Sequence, residues 1–302
     1  MADLYASFAD MRTVEILRQE YLLSLQDRNV IQNHPALVYL GDLAGSGSTT
    51  IKLSQFATLG ADLLDAVADG ANVATTAMVD ASYTCTIGRR SKKYEHSDLA
   101  KLTDSLGSLD ASTFAADAVL SGGLTLTSLI AGLVGGFSNA FGTTTANLTI
   151  QDFEDAATYL ELTNVQGPYM AILHGRQWGD LRDAVRGAVG TLQWIPASAE
   201  MISSRGAGYK GALWGVDVFV SNHVPTANAG ADRAGGVFGA GAVLHADGSL
   251  MPGPATIGAS LGKVLLEWER NATGGLTAAV VHMNVGAVEG DDTRGASLIT
   301  DA

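Results

Sequence analysis

Residues 149–185 constrain this chain more than any other stretch. They read TIQDFEDAATYLELTNVQGPYMAILHGRQWGDLRDAV. Thr149, followed three residues later by Asp152, has the form of a helix start, a hydroxyl cap with a first-turn carboxylate. Phe153, Ala156, Ala157 and Leu160 then recur at helical spacing. Gln166-Gly167-Pro168 stops that helix, because proline has no N–H to continue it. Tyr169 to Leu173 is a short apolar run, read as a buried strand. Past His174-Gly175, a second helix carries Trp178, Leu181, Ala184 and Val185 on one face. The stretch predicts helix, buried strand, helix, and it holds no catalytic constellation.

Upstream, Val14, Leu17, Tyr21 and Leu25 give an amphipathic helix that Asn33-His34-Pro35 ends. A lone amphipathic helix must pack on something. Gly45-Ser46-Gly47-Ser48 lacks the Lys that a phosphate-binding loop requires. Residues 50–54 and 83–87 alternate as strands, with Tyr83, Cys85 and Ile87 sharing a face. Between them come Asp62, Asp65, Asp69 and Asp80, and no Lys or Arg occurs from Leu53 to Gly88. Arg89, Arg90, Lys92 and Lys93 then arrive together, the clearest charge pattern in the chain.

After His96-Ser97-Asp98 a long helical region begins. Asp110 is a candidate cap for Phe114, Ala115 and Val119, and beyond Gly122-Gly123 the residues Ile130, Leu133, Val134, Phe137 and Phe141 keep helical spacing. Gly132 and Gly136 form G-x-x-x-G, but Thr125, Thr127, Ser128, Ser138 and Asn139 interrupt the run. A membrane span needs about 20 apolar residues, so a packed helix is expected instead, its glycines permitting close approach. Residues 206–211 fit G-x-G-x-x-G, yet the alternating strand LWGVDVFVS follows where a helix would have to open. A loop is expected there. His223 is expected in a turn, since no partner stands at metal-like spacing. Residues 237–245 are small and apolar, Asp247-Gly248 reads as a hairpin turn, and Met251-Pro252-Gly253-Pro254 imposes an irregular connection. Residues 263–270 and 276–288 read as two strands.

This order of elements resembles the major capsid proteins of tailed double-stranded DNA bacteriophages, the Hong Kong ninety-seven type. The resemblance rests on Y-M-A-I-L-H, on H-x-x-Q-W-x-x-L, and on the glycine-led strand GVDVFVSNHVP, where Asn222 and His223 stand between the Ser and the terminal hydrophobic-Pro pair. It implies an α+β fold with an N-terminal arm over 1–39 and an extended β-hairpin loop over 40–96. A peripheral domain with a long spine helix would cover 97–165, an axial domain 166–255, and return strands to the peripheral domain with the C-terminus 256–302. It further implies a structural, non-enzymatic subunit without cofactor. Such a subunit assembles in the host cytoplasm, through pentamers and hexamers, into the icosahedral capsid of a virion enclosing double-stranded DNA. A separate scaffolding protein, a portal and decoration proteins are the implied partners. In this setting the acidic Asp62, Asp65 and Asp69 of one subunit are expected to meet Arg89, Arg90, Lys92 and Lys93 of another. One branch of the family cross-links a loop lysine to a neighbour; Lys52, Lys92 and Lys93 match no such position, and no cross-link is carried over.

Composition is compatible with that reading. Only 16% of the 302 residues are charged, against a typical ~25%, and 36 are glycine, as expected where neighbours cover much of the surface. A net charge of −13 argues against gripping nucleic acid through its phosphates, though not against confining it. The single cysteine, Cys85, has no intrachain disulfide partner and is read as a buried thiol. The first residues lack the basic flank and apolar run of a signal peptide. Glu289 to Asp292 is read as a polar, solvated turn. No G-x-S-x-G, H-E-x-x-H or C-x-x-C occurs. An encapsulin-like compartment shell, or a cytoplasmic α/β enzyme whose groups converge from distant positions, stand as the alternatives.

Overall fold

Helix, strand and helix fall where residues 149–185 place them, at Ile150–Leu162, Tyr169–Leu173 and Gly175–Gly187. Thr149 and Asp152 complete a reciprocal capping box. The Thr149 hydroxyl accepts from the Asp152 N–H at 3.2 Å, and the Asp152 carboxylate accepts from the Thr149 N–H at 3.1 Å.

The computed structural model describes residues 34–43, 48–56, 69, 72, 80–103, 111–187, 194–206, 208–248, 257–261 and 264–301. The amphipathic helix expected before Asn33, the tract Gly45-Ser46-Gly47, Asp110 and residues 251–254 lie outside them. In chain order the elements begin with β1 (Leu37–Asp42), β2 (Thr50–Phe56), β3 (Asp80–Thr86), β4 (Gly88–Ser97), α1 (Asp98–Thr103), α2 (Ala111–Val134), β5 (Ala140–Phe141), α3 (Ile150–Leu162), β6 (Tyr169–Leu173) and α4 (Gly175–Gly187). They continue with β7 (Trp194–Pro196), α5 (Ala199–Arg205), β8 (Tyr209–Leu213), β9 (Val216–Val220), β10 (Thr226–Ala227), β11 (Asp232–Phe238) and β12 (Val243–Gly248). Last come β13 (Ile257–Leu261), β14 (Val264–Asn271), β15 (Leu276–Glu289) and β16 (Gly295–Asp301).

Two sheets and a ribbon organise these strands. The eight-stranded sheet runs β5-β16-β11-β6-β9-β8-β7, with β10 also on β11. At its centre β6 and β9 are parallel, joined by the crossover through α4. The six-stranded sheet is built on β15. One edge of β15 carries β4; the other carries β14 along its first half and β12 along its second, with β13 and β1 outside these. Strands β2 and β3 pair only with each other, as a two-stranded antiparallel ribbon continuous with β4.

The apolar run of β6 has a physical reason. Its central sheet is buried on both faces, so successive side chains alternate between two cores. Ala171 and Leu173 join Phe153, Ala156 and Leu160 of α3, Leu181 of α4, and Val216 and Val218. Met170 and Ile172 join Phe219, Phe238 and the face of α2 made by Leu126, Ile130 and Val134, together with Val281 and Met283 of β15. Helix α2 thus lies between the sheets. It passes through Gly122-Gly123 without a break, and a Cβ at Gly122 would stand 2.6 Å from a Val264 methyl. That glycine lets helix and sheet approach closely. Among the described residues no helix is long and apolar enough to cross a membrane.

Four readings of the sequence need correction. Helix α2 ends at Val134, because Gly135-Gly136 breaks it; Phe137 lies beyond it and Phe141 on β5, so their helical spacing is coincidental. Residues 206–211 are not all loop, since β8 begins at Tyr209. Gly211 has φ +126°, and a Cβ there would stand 2.2 Å from the Ile195 carbonyl oxygen, so close strand packing selects the glycine. Asp247-Gly248 is not a turn: both belong to β12, opposite Val285 and Asn284. Asp292 is not simply solvated. It opens a helical turn, Asp292–Arg294, and its carboxylate accepts from the Ser138 N–H at 2.8 Å.

Candidate assembly surface

The site begins with what holds its framework rigid. Gln177, the third residue of α4, is fully buried. Its amide nitrogen lies 3.1 Å from the Arg233 carbonyl, 3.0 Å from that of Leu298 and 2.9 Å from the Thr300 hydroxyl; its oxygen accepts from the His174 N–H at 3.0 Å. One side chain therefore ties α4 to β11 and β16. Gly235 is glycine for the same reason: a Cβ there would stand 2.6 Å from the Gln177 oxygen.

A second polar knot fixes the root of the N-terminal segment. Asp217 lies on β9, on the face it shares with Phe219. Its carboxylate accepts from the His34 Nε2–H at 3.0 Å, from Arg205 at 2.5 Å and from the Tyr209 hydroxyl at 2.9 Å. His34 Nδ1 accepts from the Ala36 N–H at 3.1 Å, which fixes the tautomer. Burial works against the Asp217 charge, but the bonds from His34 and Tyr209 and the Arg205 guanidinium outweigh it and hold the carboxyl below its usual range. Burial first, then the bond to Asp217, pushes the Tyr209 hydroxyl up to about 12. Nearby, Tyr39 donates to the buried Asp247 and joins β1 to β12. Burial, then that partner, raises the Tyr39 hydroxyl above its ordinary value.

The charge pattern of the sequence lands on the ribbon and on β4. Asp62 and Asp65 lie outside the described residues, and Asp69 is exposed in a turn. Arg89, Arg90, Lys92 and Lys93 are all exposed, and they alternate across β4. On one face, Arg89 donates to His282 Nδ1 at 2.9 Å, where the Ser91 hydroxyl also sits at 2.8 Å; His282 Nε2 stands 3.2 Å from Glu267. Lys93 bridges Glu95 at 2.7 Å and Glu269 at 3.1 Å. On the other face, Lys92 lies 3.6 Å from Asp117 of α2 and 4.5 Å over the Tyr94 ring, and Tyr94 donates to the same Asp117. Arg90 has no partner among the described residues. The structure brings the four cations together on one strand and commits three of them within the chain.

Just past β4, Leu99 and Leu102 of α1 are 70% and 83% exposed, so nothing described in this chain covers that apolar face. Arg270 clamps Asp98 with two parallel bonds of 2.7 and 2.6 Å, fixing α1 beside the β14–β15 turn. At the far end of β15, Glu289 approaches Gly136 at the C-terminus of α2. Burial, then its bond to Asp292, raises the Glu289 carboxyl. Cys85 is fully buried on β3, and burial pushes its thiol up. Among the described residues no group of three or more His, Cys, Asp or Glu could hold a metal ion.

Sequence reading missed the roles of Gln177, His34 and Asp217. Gln177 stood inside the quoted motif as a polar residue on the buried side of an otherwise apolar helix face. Asp217 stood opposite three valines in an alternating strand; only a sheet buried on both faces turns that position inward. His34 has no sequence signal beyond its neighbour Pro35.

No family model and no curated protein matches the sequence. Solved structures do. The capsid of Ralstonia phage GP4 matches with a TM-score of 0.60 and 12% identity, over 92% of this chain and 90% of that one. The capsid of cyanophage P-SCSP1u matches with a TM-score of 0.60 and 11% identity, over 90% and 88%. The SrpI encapsulin complex of Synechococcus elongatus matches with a TM-score of 0.57 and 11% identity, over 98% and 92%. At 11–12% identity the likeness is one of backbone, and the chain has the α+β Hong Kong ninety-seven fold of phage major capsid proteins.

Proposed function

We propose that the chain is the major subunit of a phage capsid, building an icosahedral shell from pentamers and hexamers around double-stranded DNA. The observation that carries this is the likeness of nearly the whole chain to phage capsids, with 92% and 90% of the two chains covered in one case. The ribbon β2–β3 corresponds in this reading to the extended loop, α2 to the spine helix, the six-stranded sheet to the peripheral domain and the eight-stranded sheet to the axial domain. The mechanism is geometric: a rigid framework holds projecting elements in fixed directions, and modest contacts sum over many neighbours. Apolar burial contributes ~25 cal/mol per Å², much of it offset by the entropy of association.

The contacts proposed are electrostatic and apolar together. Asp62, Asp65 and Asp69 of one subunit approach the strand bearing Arg89, Arg90, Lys92 and Lys93 of the next. The exposed Leu99 and Leu102 lie beside it. Scaffolding protein, portal and decoration proteins are the further partners, and DNA is confined without sequence-specific contact; the place of action is the virion, after assembly in the host cytoplasm. A compartment shell of the encapsulin kind is the second reading, favoured by the 98% of this chain that the SrpI comparison covers. Purified particles separate the two. Nuclease-resistant double-stranded DNA in particles from infected cells supports the capsid; a defined protein cargo without DNA supports the compartment and overturns it.

A further inference from the structure

Three adjacent strands of the six-stranded sheet bring a serine, a histidine and a glutamate onto one face. Ser91 of β4 stands directly opposite His282 of β15. Across the other edge of β15, His282 faces Leu265 of β14, which puts Glu267, two residues on, diagonal to it on the same face. The Ser91 hydroxyl lies 2.8 Å from His282 Nδ1, and His282 Nε2 lies 3.2 Å from the Glu267 carboxylate. Glu267 accepts from the Nε2–H, so Nδ1 keeps its lone pair and accepts from the Ser91 O–H. His282 is only 7% exposed, whereas Ser91 is open to solvent. Satisfying a buried imidazole takes one donor and one acceptor. This arrangement holds more than that. Arg89 Nη2 also stands 2.9 Å from Nδ1, and Arg89 Nε donates to the Ser91 oxygen at 3.1 Å. The serine hydroxyl is drawn from both sides, its proton toward the imidazole and its oxygen toward the guanidinium.

We propose that Ser91 is an activated nucleophile, and that the face made by Ser91, His282 and Glu267 accepts acyl groups from small esters and passes them to water. A nucleophile within hydrogen-bond reach of a base, with the base oriented by a third group, is what this chemistry needs. Ser91 Oγ attacks the ester carbonyl carbon, and its proton passes to His282 Nδ1. Nδ1 then no longer accepts from Arg89, and the guanidinium turns to the oxyanion. The adduct collapses as the ester C–O bond breaks. The leaving alcohol takes the proton from Nδ1, and the acyl group stays on Ser91. Water repeats the cycle, releasing the carboxylic acid and restoring the hydroxyl. Ser91 and His282 are the catalytic residues; Glu267, which touches only the imidazole, is a positioning residue. Because Ser91 lies on an exposed sheet face, an ester reaches it from solvent. The proposal goes beyond the shell reading and does not depend on it.

A fluorophosphonate probe on the full chain as free subunits tests it, a phosphorus–oxygen bond forming on Ser91 as fluoride leaves. Peptide mass spectrometry should find a single adduct per chain, on Ser91, and p-nitrophenyl acetate should give a burst of one nitrophenolate per chain. Ser91→Ala, a change at an exposed position, abolishes both. His282→Gln slows both by roughly 100-fold or more. Glu267→Gln slows them less and moves the pH–rate profile toward lower pH, because the imidazolium loses the carboxylate that holds it. A purely structural glutamate would leave the profile in place. Far-ultraviolet circular dichroism checks the fold of each variant; where His282→Gln fails to fold, the Glu267→Gln profile decides. No adduct on the parent chain, adducts spread evenly over its serines, or a folded His282→Gln variant as reactive as the parent overturns the proposal.

Discussion

The two sheets handle their polar groups differently. The eight-stranded sheet gathers buried polar side chains into bonded knots. Gln177 bonds to β11, β16 and the His174 N–H in full burial, and Asp217 collects His34, Arg205 and Tyr209. The six-stranded sheet also buries polar groups, among them His96, Asp247 and His282, but its strand β4 turns four cations outward, and leucines lie uncovered on α1 beside it. The first region ties distant parts of one chain together, and the second presents the charge and apolar surface that the proposed shell contacts require.

That contrast predicts which substitutions damage folding and which damage assembly. The largest effect belongs to Gln177→Leu, which strands the His174 N–H and two strand carbonyls. It should cost about 3 kcal/mol, read from urea unfolding. Asp217→Asn should cost less, about 1–2 kcal/mol, because Arg205 keeps partial access to water. It should also weaken the acid limb of the stability curve. The folded Asp217 carboxyl lies below its unfolded value, so its contribution is present above pH ~4 and lost as pH falls through the folded value. Loss of the same acid limb in both proteins would remove Asp217 as its source.

The second region should give smaller effects on the isolated chain. Burial, then Lys101, keeps His96 below its ordinary value, so its contribution is full above pH ~6.5 and declines below it. Glu289 has the opposite sign. Its raised carboxyl favours the fold below the unfolded value of ~4.3, and that benefit is lost as pH rises through the folded value. Glu289→Gln should therefore be more stable than the parent at neutral pH and match it near pH 4, by thermal melts in the two buffers. Small for stability is the double change Arg89→Glu with Arg90→Glu, expected to cost about 1 kcal/mol, because both residues are exposed and only the Arg89 bonds to His282 and Ser91 are lost. For assembly it should be the most damaging, and normal particles from it would sink the role given to the basic strand.

Much of the fold was legible in the sequence because local rules and packing agree in residues 149–185. A capping box, a helical stripe and a two-sided apolar strand each leave their own pattern. The long helix was legible in outline, but its end was not. Apolar spacing continued through Phe137 and Phe141, while Gly135-Gly136 had already broken the helix. Asp247-Gly248 misled because the pair often makes a turn, and here sheet pairing with Val285 and Asn284 overrides it. The basic cluster was visible as charge. That three of its members are occupied within the chain was not, since His282, Glu269 and Asp117 come from distant positions. The knots at Gln177 and Asp217 are likewise properties of tertiary contact alone.

The most direct test of the shell claim is size-exclusion chromatography with light scattering on the purified chain, alone and with scaffolding protein, each peak imaged by negative stain. The account predicts closed megadalton particles, or rings of five and six subunits. A monomer or dimer that scaffolding protein cannot drive into particles would contradict it.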